Sequence, residues 1–150
     1  MEPISEILNK AAQRAKDLRL PYAGALLPAE AHELMHKAPG AKLIDVRTKA
    51  EWDFVGRVPG SVPIEWQRYP SSEPNPEFLN ELKAHIEKDA IVMFLCRSGA
   101  RSHAAAAAAE QAGYAHSYNV LQGFEGDKDA HGHRASVGGW QFARLPWIQS

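Results

Sequence analysis

The residues best placed to do chemistry surround the single cysteine. Cys96 follows the apolar run Ile91-Val92-Met93-Phe94-Leu95. After it come Arg97-Ser98-Gly99-Ala100-Arg101-Ser102 and then an alanine run, Ala104 to Ala109. A run apolar at every position predicts a strand buried on both faces, and alanine is the best helix former. The order is therefore strand, tight polar loop, helix. Successive N–H groups in such a loop converge on one point, and the helix N-terminus adds partial positive charge. Gly99 lets the backbone turn without a Cβ clash. A free thiol ionises near pH 8.5, and helix N-termini with nearby cations lower that to about 3.5–7.5. The expected chemistry is that of an anionic sulfur nucleophile, in a cradle that also suits a tetrahedral oxyanion. The bland alternative, a cysteine serving as a small buried hydrophobe, requires neither this loop nor its two arginines.

The elements that must position this loop are legible from periodicity. Ile4, Ile7, Leu8, Ala11, Ala12, Ala15 and Leu18 recur at helical spacing, which predicts an amphipathic helix over 4–18. Tyr22 to Leu27 reads as a short strand, and Pro28 to about Lys37 as a helix opened by proline and stopped by Pro39-Gly40. Lys42 to Val46 reads as a buried strand. Thr48 with Glu51 forms a capping box that starts a short helix. After the Val58-Pro59-Gly60 turn, Ser61 to Ile64 is a further short strand. Asn75-Pro76 predicts a helix start, with Phe78, Leu79, Leu82 and Ile86 as its buried face. Ala90 to Leu95 is the central strand. The helix after the loop is ended by Gly113, and His116 to Leu121 is the last strand. Strands alternating with helices predict an α/β fold: an open, mostly parallel sheet of about five strands with helices on both faces. In such sheets ligands sit outside the carboxyl ends of the strands, where Cys96 falls.

The whole-chain numbers narrow the class. The chain has 150 residues, with 45% hydrophobic and 23% charged residues and a formal net charge of -1. That is one globular domain with neither a nucleic-acid footprint nor a polybasic membrane patch. One cysteine excludes an internal disulfide and any cysteine-rich metal or iron–sulfur site, and it fits a reducing, cytoplasmic setting. Neither a membrane helix nor a signal peptide is expected.

The motifs, taken in order, resemble the rhodanese family of single-domain sulfurtransferases over roughly residues 26 to 148. They are Leu43-Ile44-Asp45-Val46-Arg47, Glu51-Trp52, Gly56, and Val58-Pro59-Gly60-Ser61-Val62-Pro63-Ile64. Then come Val92 to Ser102, Tyr118-Asn119-Val120-Leu121-Gln122-Gly123-Phe124, Trp140 and Leu145-Pro146-Trp147. The resemblance implies a mostly parallel five-stranded sheet. It also implies an activity in which Cys96 takes a sulfane sulfur from thiosulfate or a similar donor. The resulting persulfide passes the sulfur to a thiophilic acceptor such as cyanide or a thiol, with no cofactor and no metal. The amides of Arg97, Ser98, Gly99, Ala100, Arg101 and Ser102 would stabilise the persulfide. Arg101 would bind the departing sulfite or the oxygens of thiosulfate, and Arg97 would steer anions at the pocket mouth. Phosphatases and arsenate reductases on the same fold are the alternative enzyme class. Their loop is Cys-x5-Arg, whereas four residues separate Cys96 from Arg101 here. A non-catalytic partner domain is the other alternative, although such domains often lack the cysteine.

Three further residues are candidates for the pocket or the shell behind it, Asp45 and Arg47 by their position in these motifs and Trp66 as an aromatic residue of the kind that walls small-ligand sites. Asp45 orients Arg101 or a loop amide, or else caps a helix or loop. Arg47 is expected in an ion pair with Glu51 beside the pocket, the alternative being direct contact with the substrate. Trp66 either walls the pocket or packs in the core. The sequence divides into an N-terminal helical extension, residues 1–20, and the domain proper, 21–150. Within the latter, 126–139 is an insertion relative to the family pattern. Asp127-Lys128-Asp129-Ala130-His131-Gly132 begins like a calcium loop but has His131 at the fifth position and Gly138 at the twelfth, so calcium is rejected. His131 and His133 alone do not make a zinc site. The segment is either a solvated loop or a flap over the pocket mouth, where His131, His133 or Arg134 meets an anionic donor or the acceptor.

Overall fold

A computed structural model describes residues 3–149. In chain order the elements are α1 (Ile4–Leu18), β1 (Gly24–Leu26), α2 (Pro28–Lys37), β2 (Lys42–Asp45), α3 (Lys49–Phe54), β3 (Val62–Pro63), α4 (Phe78–His85), β4 (Val92–Leu95), α5 (Ala100–Gln111) and β5 (Ser117–Val120). The five strands form one sheet in the order β1-β5-β4-β2-β3, and every pairing is parallel. The all-apolar strand β4 lies at the centre, as its composition requires.

Alternation along the strands splits the core into two layers. Leu43, Met93, Leu95 and Val120 face one layer with Ile7 and Ala11 of α1, Leu34 of α2, Phe124 and Trp140. Ile44, Val92, Phe94 and Cys96 face the other with Phe78 and Leu82 of α4 and Ala105, Ala106 and Ala109 of α5. The alanines let α5 approach the sheet closely. Helix α1 is tied to α2 by Arg14, whose Nη1 and Nη2 donate to Glu30 at 2.6 and 3.1 Å. Its buried Ile7, Ala11 and Ala15 help complete the first layer.

Several local expectations shift. Strand β1 is three residues long, shorter than the expected Tyr22 to Leu27, and β3 is two, shorter than the expected Ser61 to Ile64. Helix α4 begins at Phe78. Asn75 Oδ1 still accepts the Glu77 amide at 3.0 Å, but Glu77, at φ -95° and ψ 5°, is not yet helical. Leu79 points outward and is 40% exposed, because its neighbours Phe78 and Leu82 already fill the helix's buried stripe. No helix among the described residues is long and apolar enough to cross a membrane.

Candidate functional site

Cys96 lies one residue past the carboxyl end of β4 and is 1% exposed. Its Sγ receives the Gly99 amide at 3.1 Å and lies 3.3 Å from Ser102 Oγ. Gly99 has φ 114° and turns the chain from strand into α5. The two carbonyls after the strand are drawn to one side. Phe124 N–H donates to Cys96 O at 2.8 Å, while the amides of Glu125 and Gly126 donate to Arg97 O at 3.0 and 3.2 Å. A trans peptide sets its N–H opposite its carbonyl, so the amides of Arg97 and Ser98 point away from that turn. The first amides of α5, from Ala100, Arg101 and Ser102, have no intrahelical acceptor. The loop thus gathers unspent donors beside a buried sulfur.

The turn that holds these carbonyls needs Gly123, at φ 66°. A Cβ there would stand 2.5 Å from Arg97 C and 2.6 Å from Cys96 O. A second anchor comes from β5. Asn119 Nδ2 donates to Gly99 O at 3.3 Å, which turns its Oδ1 toward Ser102 Oγ, 2.5 Å away. Ser102 is fully buried, so this hydroxyl sits in a polar chain between the sulfur and the sheet.

Arg101 reaches across to α3. Its Nη1 and Nη2 donate to the two carboxylate oxygens of Glu51 at 2.7 and 3.0 Å, and Glu51 also accepts the Thr48 amide at 3.1 Å. Burial pushes the Glu51 carboxyl upward. The hydrogen bonds and charge of Arg101, with help from the Thr48 amide and the charge of Arg47, outweigh it and hold the group below the ordinary range. Arg97 is paired as well, its Nε lying 3.3 Å from Glu125 Oε2. A cavity of about 330 Å³ lies against the loop, lined by Glu51, Val55, Tyr69, Arg97, Arg101 and Glu125.

The remaining expected residues fall differently. Arg47 does not pair with Glu51. It is fully buried against Asp45, donating from Nη2 at 2.7 Å and from Nε at 3.0 Å, and Nη2 also donates to Gly56 O at 2.7 Å. Its guanidinium lies 4.2 Å from the centre of the Phe124 ring. Asp45 therefore orients Arg47 and not Arg101, and its Oδ1 also accepts the Arg47 backbone amide at 3.1 Å, which makes it the cap of the turn after β2. The pair braces the Gly56 and Phe124 turns beneath the site. Trp66 packs edge-on against Phe78, with ring centres 4.9 Å apart, and the cavity's aromatic residue is Tyr69. Glu125 and Tyr69 carried no spacing signal. Glu51 did, through its capping box, but its second task of holding Arg101 is a contact between residues 50 apart.

A family model described as the rhodanese-like domain matches residues 27–130. A protein of Rickettsia conorii named uncharacterized protein RC0915 is 36% identical over 124 residues, covering 79% of this chain and 91% of its own. The crystal structure of Rv0390 from M. tuberculosis is 44% identical, with a TM-score of 0.79, over 86% of this chain and 99% of that one. A polysulfide-sulfur transferase homodimer from Wolinella succinogenes shares the fold at 19% identity and a TM-score of 0.60, over 99% of this chain and 95% of its own. With the parallel sheet, the loop at the end of its central strand and more than half the chain matched, the chain belongs to the rhodanese-like domain family.

Proposed function

We propose that this chain is a sulfurtransferase that carries a sulfane sulfur on Cys96, with thiosulfate as donor. The observation that carries the reading is the setting of Cys96 Sγ, which receives an amide and faces a hydroxyl at the mouth of a helix N-terminus. In the first half-reaction the Cys96 thiolate attacks the outer sulfur of thiosulfate. A Sγ–S bond forms, the sulfur–sulfur bond of thiosulfate breaks, and its electron pair leaves with sulfite. The anionic persulfide is held by the loop amides, an oxyanion-hole arrangement applied to sulfur. In the second half-reaction a nucleophilic acceptor takes the outer sulfur and Cys96 departs as thiolate. The four-residue spacing from Cys96 to Arg101 favours sulfur over the bulkier phosphoryl group.

Mass spectrometry after incubation with thiosulfate tests this. The expected result is a gain of one sulfur atom, about 32 Da, that is absent in Cys96→Ser. No adduct from either thiosulfate or a polysulfide overturns the reading.

A further inference from the structure

We propose that the cavity walled by the 126–139 segment binds the sulfur acceptor, and that the acceptor is an organic thiol bearing carboxylates. This inference rests on the sulfur-transfer reading of Cys96. The segment is fastened to the reactive loop at its root. Glu125 and Gly126 donate to Arg97 O, and the far end returns through Trp140 N–H to Gly123 O at 2.8 Å. Ala135 N–H donates to Glu125 O at 2.6 Å, which folds the middle of the segment back on its start. Between the segment and the loop is a second cavity of about 450 Å³, lined by Arg97, Glu125, Lys128, His133, Arg134 and Gln141. It shares Arg97 and Glu125 with the cavity at the Cys96 loop, so one ion pair borders both.

The charge facing this cavity is positive. Glu125 is matched by Arg97. The nearby Asp129 is turned to its own loop. Its Oδ1 accepts the His131 and His133 amides, and its Oδ2 accepts the Ser136 hydroxyl. Among the described residues Lys128 and Arg134 have no carboxylate partner. Arg134 Nη1 donates to Gly126 O at 2.6 Å, while its Nε is buried with no hydrogen-bond partner. With no carboxylate beside them, Lys128 and Arg134 both keep their positive charge for an anion in the cavity they line. His131, exposed, is not part of the lining.

Size separates donor from acceptor. Cavities of about 300–1,000 Å³ hold organic molecules, far more than a small inorganic dianion fills. Thiosulfate is served by the loop itself, which leaves this cavity to the molecule that takes the sulfur away. With its carboxylates on Lys128 and Arg134, the acceptor extends its sulfur past the Arg97–Glu125 pair toward the Cys96 loop. Its thiol sulfur then bonds to the outer sulfur of the Cys96 persulfide, and the Sγ–S bond breaks. The electron pair stays on Cys96 as thiolate. The thiol proton passes to the transferred sulfur, giving the acceptor hydropersulfide.

The test compares glutathione, which carries two carboxylates, with its diethyl ester as acceptors from thiosulfate. The expected result is a KM for glutathione about tenfold below that for the ester, with Lys128→Gln and Arg134→Gln each removing most of that preference. Equal KM values, or a preference untouched by both variants, overturn the proposal. Loading of Cys96 by thiosulfate is measured separately by mass, so failure of sulfur transfer itself is told apart from failure of this site. Calorimetry with S-methylglutathione on Cys96→Ser tests the site without any sulfur chemistry. Binding weakened by Lys128→Gln supports it, and no binding overturns it.

Discussion

Arg101 grips both carboxylate oxygens of Glu51 at 2.7 and 3.0 Å, while Glu51 also caps the helix that carries it. A forked arginine–carboxylate pair fixes both orientation and charge. The loop arginine expected to meet the donor is therefore already paired with a negative charge before any donor arrives. Glu51→Gln keeps an acceptor oxygen for Arg101 and the Thr48 amide but removes the negative charge. The expected outcome is a KM for thiosulfate about three- to tenfold lower, the scale of one partly buried charge. An unchanged KM would show that Arg101 does not engage the donor.

The same carboxylate predicts how stability responds to acid. The Glu51 carboxyl is held below its ordinary value near 4.5, chiefly by Arg101 acting against burial. Glu30 is lowered likewise, its burial outweighed by Arg14, the Leu27 amide and Lys10. The unfolded chain protonates these groups first. Their stabilisation is therefore complete above about pH 4.5 and is lost as pH falls below it through the folded values. Urea unfolding between pH 3 and 6 should give a falling acid limb, flattened in Glu30→Gln and in Glu51→Gln. A limb of unchanged slope in both variants counts against the two pairs.

Arg47 should matter for folding more than for chemistry. Removing one partner of a buried ion pair leaves the other charge stranded, at a cost of about 3–5 kcal/mol. Arg47→Met strands Asp45, frees Gly56 O and removes the cation above Phe124. A drop of that size in denaturant unfolding is expected. Arg47→Lys should recover little of it, since an ammonium cannot serve Asp45, Gly56 and the Phe124 ring together.

Ser102→Ala should damage both halves of its polar chain. Cys96 loses a neighbour at 3.3 Å, and Asn119 Oδ1 is left buried without its donor. The unsatisfied oxygen costs about 1–3 kcal/mol in unfolding free energy. Stopped-flow measurement of persulfide formation should show slower sulfur loading. Ser102→Thr, which restores the hydroxyl, should recover much of the rate. Loading at the normal rate in the alanine variant would reduce Ser102 to a structural role.

The sequence makes the sheet and the reactive loop legible because both are local. The apolar run into Cys96, the glycine at 99 and the alanine helix are set by neighbouring residues. The partners of the charges are not local. Arg47 had acidic candidates on both sides, Asp45 two residues back and Glu51 four ahead, and chain geometry gave it to Asp45. That left Glu51 free for Arg101, a pairing only the folded sheet creates. Glu125 and Tyr69 reach the loop from distant segments, and Leu79 shows that an apolar residue near a buried stripe can still face water. The 126–139 segment has no periodicity to read, and its place follows from backbone bonds at Arg97 and Gly123.

The pairing of both loop arginines with glutamates, Arg97 with Glu125 and Arg101 with Glu51, has a consequence for ionic strength. Four charges that cancel in pairs project little field into solution, and the remaining attraction for an anion comes from amide dipoles at contact range. Dissolved ions screen fields over about 8–10 Å but scarcely touch such short contacts. Loading of Cys96 would then proceed almost alike in dilute and concentrated salt, while delivery to an acceptor drawn by Lys128 and Arg134 would slow as salt rises. One protein would thus have two half-reactions, one nearly indifferent to its ionic surroundings and one tuned by them.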